Sequence, residues 1–200
     1  MKKESLTFIL ISCLILGTTV TTQVLIMREL SLKQGLSFTD EDVIITVNET
    51  IAKFYARYAI KNYEKTTNYW ISLPFALKPW DINLTINDEA LDYSWTESYV
   101  EPEPIPFDAI TFQVEIAEGE KLDIEVSYYR NYETIFENNT QYGLFRYIVG
   151  STRSWDQPLN FAHFELWQEA GSIKTLIETR DYTNWYPSET FLYFYFELNF

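Results

Sequence analysis

The chain has 200 residues, is 46% hydrophobic and 18% aromatic, and carries a formal net charge of −14. It can bury a real core, which excludes an intrinsically disordered chain. Its acidity excludes binding to nucleic-acid backbones and docking on anionic headgroups through a basic patch. The single cysteine, Cys13, excludes an intrachain disulfide.

Lys2 and Lys3 precede an uncharged apolar run from Leu6 to Met27, diluted by Thr7, Ser12, Thr18, Thr19, Thr21, Thr22 and Gln23. As a helix it would span about 33 Å, the thickness of bilayer hydrocarbon. A signal peptide would use the lysines as its n-region and Leu6 to Leu16 as its h-region. An uncleaved anchor would use the whole run. No Ala-x-Ala site follows Gly17, and Val24, Leu25 and Ile26 resume the apolar character, which favours the anchor. Leu10-Ile11-Ser12-Cys13 has the shape of a loose lipoprotein box, but the residues after it stay apolar, so Cys13 reads as a membrane-buried bystander. Residues 1–27 are assigned to the anchor or signal peptide, 28–41 to a linker, and 42–200 to an extracytoplasmic β-domain, with 166–200 as a candidate separate extension.

Strand signals dominate the body. Val43–Val47 comes first. Ile51, Phe54, Tyr55 and Tyr58 are spaced like a helix face, yet Ala52, Phe54, Ala56, Tyr58 and Ile60 alternate, and the β-rich context selects a long strand. Tyr69–Leu73 follows, bracketed by Pro74 and Pro79. Ile82–Ile86, a turn at Asn87-Asp88-Glu89-Ala90, and Leu91–Trp95 predict a hairpin. Glu101-Pro102-Glu103-Pro104-Ile105-Pro106 is polyproline-like and reads as a long crossover between two sheets. Ile110–Ile116 and Leu122–Tyr128 alternate around Glu118-Gly119-Glu120-Lys121 and predict a second hairpin. Further strands are expected at Leu144–Val149, Asn160–Trp167, Ile173–Glu178 and Phe191–Leu198. The last is apolar on both faces, so it reads as central or covered on both sides. The expected fold is all-β, an antiparallel β-sandwich preceded by a single N-terminal transmembrane or signal-anchor helix.

Asn48-Glu49-Thr50, Asn83-Leu84-Thr85 and Asn138-Asn139-Thr140 match the N-glycosylation acceptor pattern. Lys2, Lys3 and the terminal amine against Arg28 and Lys33 narrowly favour the N-terminus inside. Together these place the body outside, at a cell membrane crossed once by residues 6–27.

No constellation for catalysis is apparent. His163, the only histidine, shares a strand face with Phe161, Glu165 and Trp167 and reads as a packing or surface residue. One His and one membrane Cys cannot supply three zinc ligands. Glu97, Glu101, Glu103 and Asp108 are the acids that a glycosidase would need, although a solvated acidic loop explains them as well. Thr39-Asp40-Glu41-Asp42 and Asp81-x-Asn83 lack EF-hand spacing. No metal or cofactor is therefore assigned. Among the tryptophans, Trp70, Trp95 and Trp167 fall within strands and read as core. Trp80, Trp155 and Trp185 lie beside turn residues and form the candidate ligand platform, a glycan being the natural occupant.

Tyr58-x-Ile60-x-Asn62, Leu73-Pro74-Phe75, the Ile82–Trp95 hairpin and Thr152-Arg153-Ser154-Trp155-Asp156-Gln157-Pro158-Leu159 lie in the stretch from Asn48 to Trp167. On these features the chain resembles uncharacterised prokaryotic membrane-anchored cell-surface proteins with β-domains of unknown function. The resemblance implies a tethered extracytoplasmic β-domain and no activity. The expectation is a non-enzymatic surface or envelope protein acting through a protein partner. A glycan-binding module is the alternative, and a carboxylate glycosidase a more distant one.

Overall fold

The computed structural model describes residues 35–100, 102–103, 105–149 and 157–198. The expected membrane segment, residues 6–27, lies outside these. Among the described residues no helix is long and apolar enough to cross a membrane. The described elements are thirteen strands. They are β1 (Leu36–Val47), β2 (Ala52–Asn62), β3 (Thr67–Pro74), β4 (Trp80–Ile86), β5 (Glu89–Ala90), β6 (Ser94–Ser98) and β7 (Phe107–Ile116). There follow β8 (Lys121–Arg130), β9 (Glu133–Glu137), β10 (Thr140–Ile148), β11 (Leu159–Ala170), β12 (Ile173–Trp185) and β13 (Phe191–Glu197).

These form a seven-stranded sheet in the order β12-β11-β1-β2-β8-β4-β5 and two three-stranded sheets, β13-β10-β9 and β3-β7-β6. Neighbours are antiparallel except β1 and β11, which run parallel. One buried cluster takes side chains from all three sheets, among them Ile45, Phe54 and Val126, Ile71 and Phe112, and Phe145 and Phe194. Phe54 lies at its centre, stacked on Tyr128 at 4.9 Å and edge-on to Phe145 at 5.4 Å. Alternation explains the faces: Val43, Ile45 and Val47 are fully buried, while Asp42, Ile44 and Thr46 between them are half-buried on the other side.

The turns follow residue chemistry. The β4–β5 turn uses Asn87 and Asp88 at φ 50° and 69°, and the β9–β10 turn uses Asn138 and Asn139 at φ 49° and 65°. Both place two left-handed residues in a two-residue loop, as a mirror-image turn matching the strand twist requires. Asn and Asp tolerate that conformation best among non-glycine residues.

Several expectations are corrected. Ile110–Ile116 and Leu122–Tyr128 do not form a hairpin: β7 pairs with β3 and β6, and β8 pairs with β2 and β4. Alternation establishes one apolar face per strand, but two such faces can meet across a core as well as lie side by side. The Ile82–Trp95 hairpin shrinks to β4 with the two residues of β5, after which the chain departs to β6 in another sheet. The proline-rich stretch joins β6 to β7, neighbours in one sheet, and is no crossover between sheets. β13 is an edge strand with one face open. Trp70 and Trp95 are 60% and 42% exposed and are not core. β1 begins at Leu36, inside the expected linker. Within the expected extension, β12 pairs with β11 and β13 with β10.

Among the chain's crossings between the seven-stranded sheet and the β3 sheet are one after β2 and one between β7 and β8. Asn62, fully buried, ties the two crossings together. Its Nδ2 donates to the carbonyls of Ile116 (3.0 Å) and Ala117 (3.2 Å). Its Oδ1 accepts from the Glu64 amide and the Tyr69 hydroxyl, both at 2.9 Å. Its backbone N–H donates to Glu120 O, and its carbonyl accepts from Gly119 N–H. Replacing Asn62 with Ala leaves two carbonyls and a hydroxyl buried without these partners. The expected loss is about 2–4 kcal/mol, read from urea unfolding. A loss under about 0.5 kcal/mol would show that the crossings hold without the side chain.

Candidate functional site

The expected platform is not assembled. Trp80 is exposed on β4, near one edge of the seven-stranded sheet, and Trp185 ends β12 at the other edge. Five strand spacings, about 24 Å, separate β4 from β12. Trp185 is half-buried, stacked on Tyr182 at 4.2 Å and edge-on to Phe164. Trp155 lies outside the described residues.

The sequons are placed differently from one another. Asn83 is exposed on β4, and Asn138 is exposed in the β9–β10 turn. Asn48 is half-buried, and its Oδ1 accepts from the amides of Thr50 and Ile51, both at 3.0 Å. It closes the β1–β2 turn.

Among the described candidate acids, Glu97 and Asp108 are neighbours across two strands, while those of β1 are separated. Along β1, Asp40 pairs with Lys121 at 3.3 Å and Asp42 with Arg57 at 3.9 Å, while Glu41 between them points into the core. Alternation therefore prevents the three from sharing one ion. Glu97 and Asp108 lie opposite each other on β6 and β7, both exposed, with Lys78 at 3.8 Å from Asp108. Glu101 lies outside the described residues. A shallow, open depression is lined by Tyr63, Glu64, Lys65, Thr66, Thr67 and Glu118, and Glu97, Glu103 and Asp108 are not among its lining residues.

His163 stands on the face of β11 shared with Phe161, on which its ring stacks. Its Nδ1 meets Asp181 at 2.6 Å and its Nε2 meets Glu165 at 3.3 Å. The Asp181 hydrogen bond raises its pKa above the usual histidine value, against the effect of burial. Among the described residues its side-chain partners are the two carboxylates, and the arrangement is an ion-pair row.

The open face of the β13-β10-β9 sheet is the most distinctive surface. On β13, Leu192, Phe194 and Phe196 enter the core, while Tyr193 and Tyr195 are 54% and 43% exposed on the other side. Register sets Tyr195 opposite Leu144, Tyr193 opposite Arg146, and Tyr142 between Glu197 and Ile135. Tyr142 and Tyr195 stack at 4.7 Å. The Tyr195 hydroxyl donates to Glu137 at 3.2 Å. Arg146 lies 5.3 Å above the Phe191 ring and 3.9 Å from Glu133. The result is a slab of rigid rings with Glu133, Glu137 and Glu197 around it. One signal in the sequence points to this face: hydroxyl-bearing rings at Tyr193 and Tyr195 alternate with Leu192, Phe194 and Phe196.

Behind the face lies a polar chain in the core. Tyr58 donates to Tyr147 (2.8 Å), which donates to Glu41 Oε1 (2.8 Å). Glu41 Oε2 is buried without a hydrogen-bond partner. Burial pushes the Glu41 pKa up to about 7, against the lowering effect of the Tyr147 bond. Nearby, Gly143 leaves room for the Phe196 ring, whose edge fills the space that a Cβ would take.

No protein-family model and no curated relative matches the chain. Solved structures align with it to different extents. A Legionella pneumophila protein described as nutrient-binding aligns with TM-score 0.64 and 13% identity, over 82% of this chain and 68% of that one. An M1 zinc metallopeptidase of Deinococcus radiodurans aligns at 0.43 and 17% identity, over 74% of this chain and 39% of that one. Yeast LTA4 hydrolase aligns at 0.46 and 11% identity, over 82% of this chain and 27% of that one. At these identities the likeness to the Legionella protein is one of fold alone.

Two substitutions test the packing and the ion-pair row. Gly143→Ala drives a methyl into the Phe196 ring and is expected to cost about 1–3 kcal/mol in urea unfolding. A raised histidine pKa adds stability below its unfolded value and loses it as pH rises through the folded value. His163→Gln is therefore expected to remove the part of the loss of thermal stability that sets in above about pH 6.5.

Proposed function

We propose that this chain is a non-enzymatic, membrane-anchored surface or envelope protein that works by protein–protein contact, its body a β-sandwich on the extracytoplasmic side. The observation that supports it best is the open tyrosine face of β13-β10-β9. Rings with few rotatable bonds give contact area at low entropic cost, which is why tyrosine is enriched in binding surfaces. A chain of net charge −14 that displays Tyr193, Tyr195 and Ile135 together has kept apolar surface where acidic residues would favour solubility.

The chemistry of the face selects a partner. Arg146 rests on Phe191 beside Glu133, a ring beneath a guanidinium and a carboxylate next to it. The Tyr142–Tyr195 stack with Glu137 and Glu197 repeats that pairing of rings and carboxylates, and no cation pairs with those two acids among the described residues. A protein segment bearing arginine or lysine complements it. Glycan binding, the second reading, would use these same exposed rings.

Titrating the full chain with an arginine-rich dodecapeptide and with a neutral oligosaccharide separates the two. Peptide binding that falls about tenfold in the Tyr193→Ser/Tyr195→Ser double variant, and weakens with salt, is the expected result. Binding of the oligosaccharide alone would transfer the face to glycans. Turnover in a broad hydrolase screen would overturn the non-enzymatic reading.

A further inference from the structure

We propose that Glu41 is a proton-dependent latch between β1 and β10: neutral, it holds Tyr147 and its strand against the seven-stranded sheet, and ionised, it loosens them. This inference is independent of the partner proposed above and stands on the geometry of the core. Glu41 is 3% exposed. One of its oxygens receives the Tyr147 hydroxyl, and the other has no hydrogen-bond partner. No cation forms an ion pair with it among the described residues. Tyr58 stands opposite on β2 and Ala162 opposite on β11, while Tyr147 approaches from β10 and Tyr128 from β8. All three tyrosines hold their protons far above neutral pH, their hydroxyls being buried. The buried cation of this core, Arg130, lies over the rings of Phe54 and Phe145 and donates to the Arg146 carbonyl. His163 is on the opposite face of β11, among Asp42, Glu165 and Asp181.

A neutral carboxyl tolerates one unmatched oxygen far better than a carboxylate does, because a buried charge without a counter-ion pays the full desolvation cost. The proton therefore belongs to the folded state. The carboxyl titrates at about 7 in the fold against 4.5 as the ordinary value. Its stabilising contribution is complete below pH 4.5 and is lost as pH rises towards and through 7. An ionised Glu41 regains water only if β10 parts from β1. The movement then reaches Tyr142, Leu144 and Arg146, which alternate with Phe145 and Tyr147 on the same strand.

The test is amide exchange and thermal unfolding of the full chain between pH 4.5 and 8.5. After correction for intrinsic exchange, protection across Phe145–Ile148 is expected to fall, by up to about 300-fold for a displacement of this size. The Tm should fall from about pH 4.5 and level off near 7. Glu41→Gln should flatten both profiles between pH 4.5 and 6.5, whereas His163→Gln should leave that part unchanged. Tyr147→Phe removes the bond that favours the carboxylate and should move the levelling-off point upwards, which decides the matter even if Glu41→Gln fails to fold. A wild-type profile flat between pH 4.5 and 7, an equal fall in Glu41→Gln, or an unmoved levelling-off point in Tyr147→Phe would each overturn the latch.

Discussion

The architecture depends on where the chain leaves one sheet for another. A strand alternating apolar and polar residues must bury one face, but nothing in the alternation says which neighbour it will pair with. Here the decision is made at two adjacent crossings, and a buried carboxamide fixes both. Asn62 suits the task because it offers donors and acceptors from one small group. Its Nδ2 holds the carbonyls at the end of β7, and its Oδ1 holds the start of the path to β3. A carboxylate there would face the Ile116 and Ala117 carbonyls with no donor, and a leucine would leave them unmatched.

This accounts for how much of the fold was legible beforehand. The strands themselves were, because period-two alternation is a local property: β2, β7, β8 and β11 lie close to where their side chains put them. The turns were legible too, since Asn87-Asp88 carries its own preference for left-handed backbone. Pairing was not, because the hairpin reading of β7 and β8 requires that neighbours in sequence be neighbours in a sheet. The Glu118–Lys121 turn chemistry serves a crossing as well as a hairpin. β9 escaped notice because Glu133-Thr134-Ile135-Phe136-Glu137 is short and exposed throughout, so no buried face marked it.

The candidate surfaces were less legible for a related reason. Tryptophan identity says little about exposure when the ring stands on a strand of unknown face. Trp70 was assigned to the core and is open, while Trp185 was assigned to a loop and packs against Phe164. The tyrosine face needed the parity of β13 and its position at an edge together. Parity was written in the sequence; edge position arose only from the pairing of β10 with β9 on its other side.

Exposed rings on an edge sheet invite indiscriminate association, yet the open edges here are guarded. Arg180 turns inwards from β12, sits 4.5 Å over Phe194 and donates to the Tyr193 carbonyl, so a backbone acceptor of β13 is already taken. β12 is irregular between Leu166 and Trp167 of its partner, which disrupts a regular template for another strand. β9 is five residues long with glutamates at both ends. Short edges, inward charges and bulges are the usual means of blocking strand addition. With the edges blocked, the rings themselves remain open. A surface that resists backbone pairing while displaying Tyr193 and Tyr195 is suited to side-chain recognition, and the acids around it restrict that recognition to partners that bring positive charge.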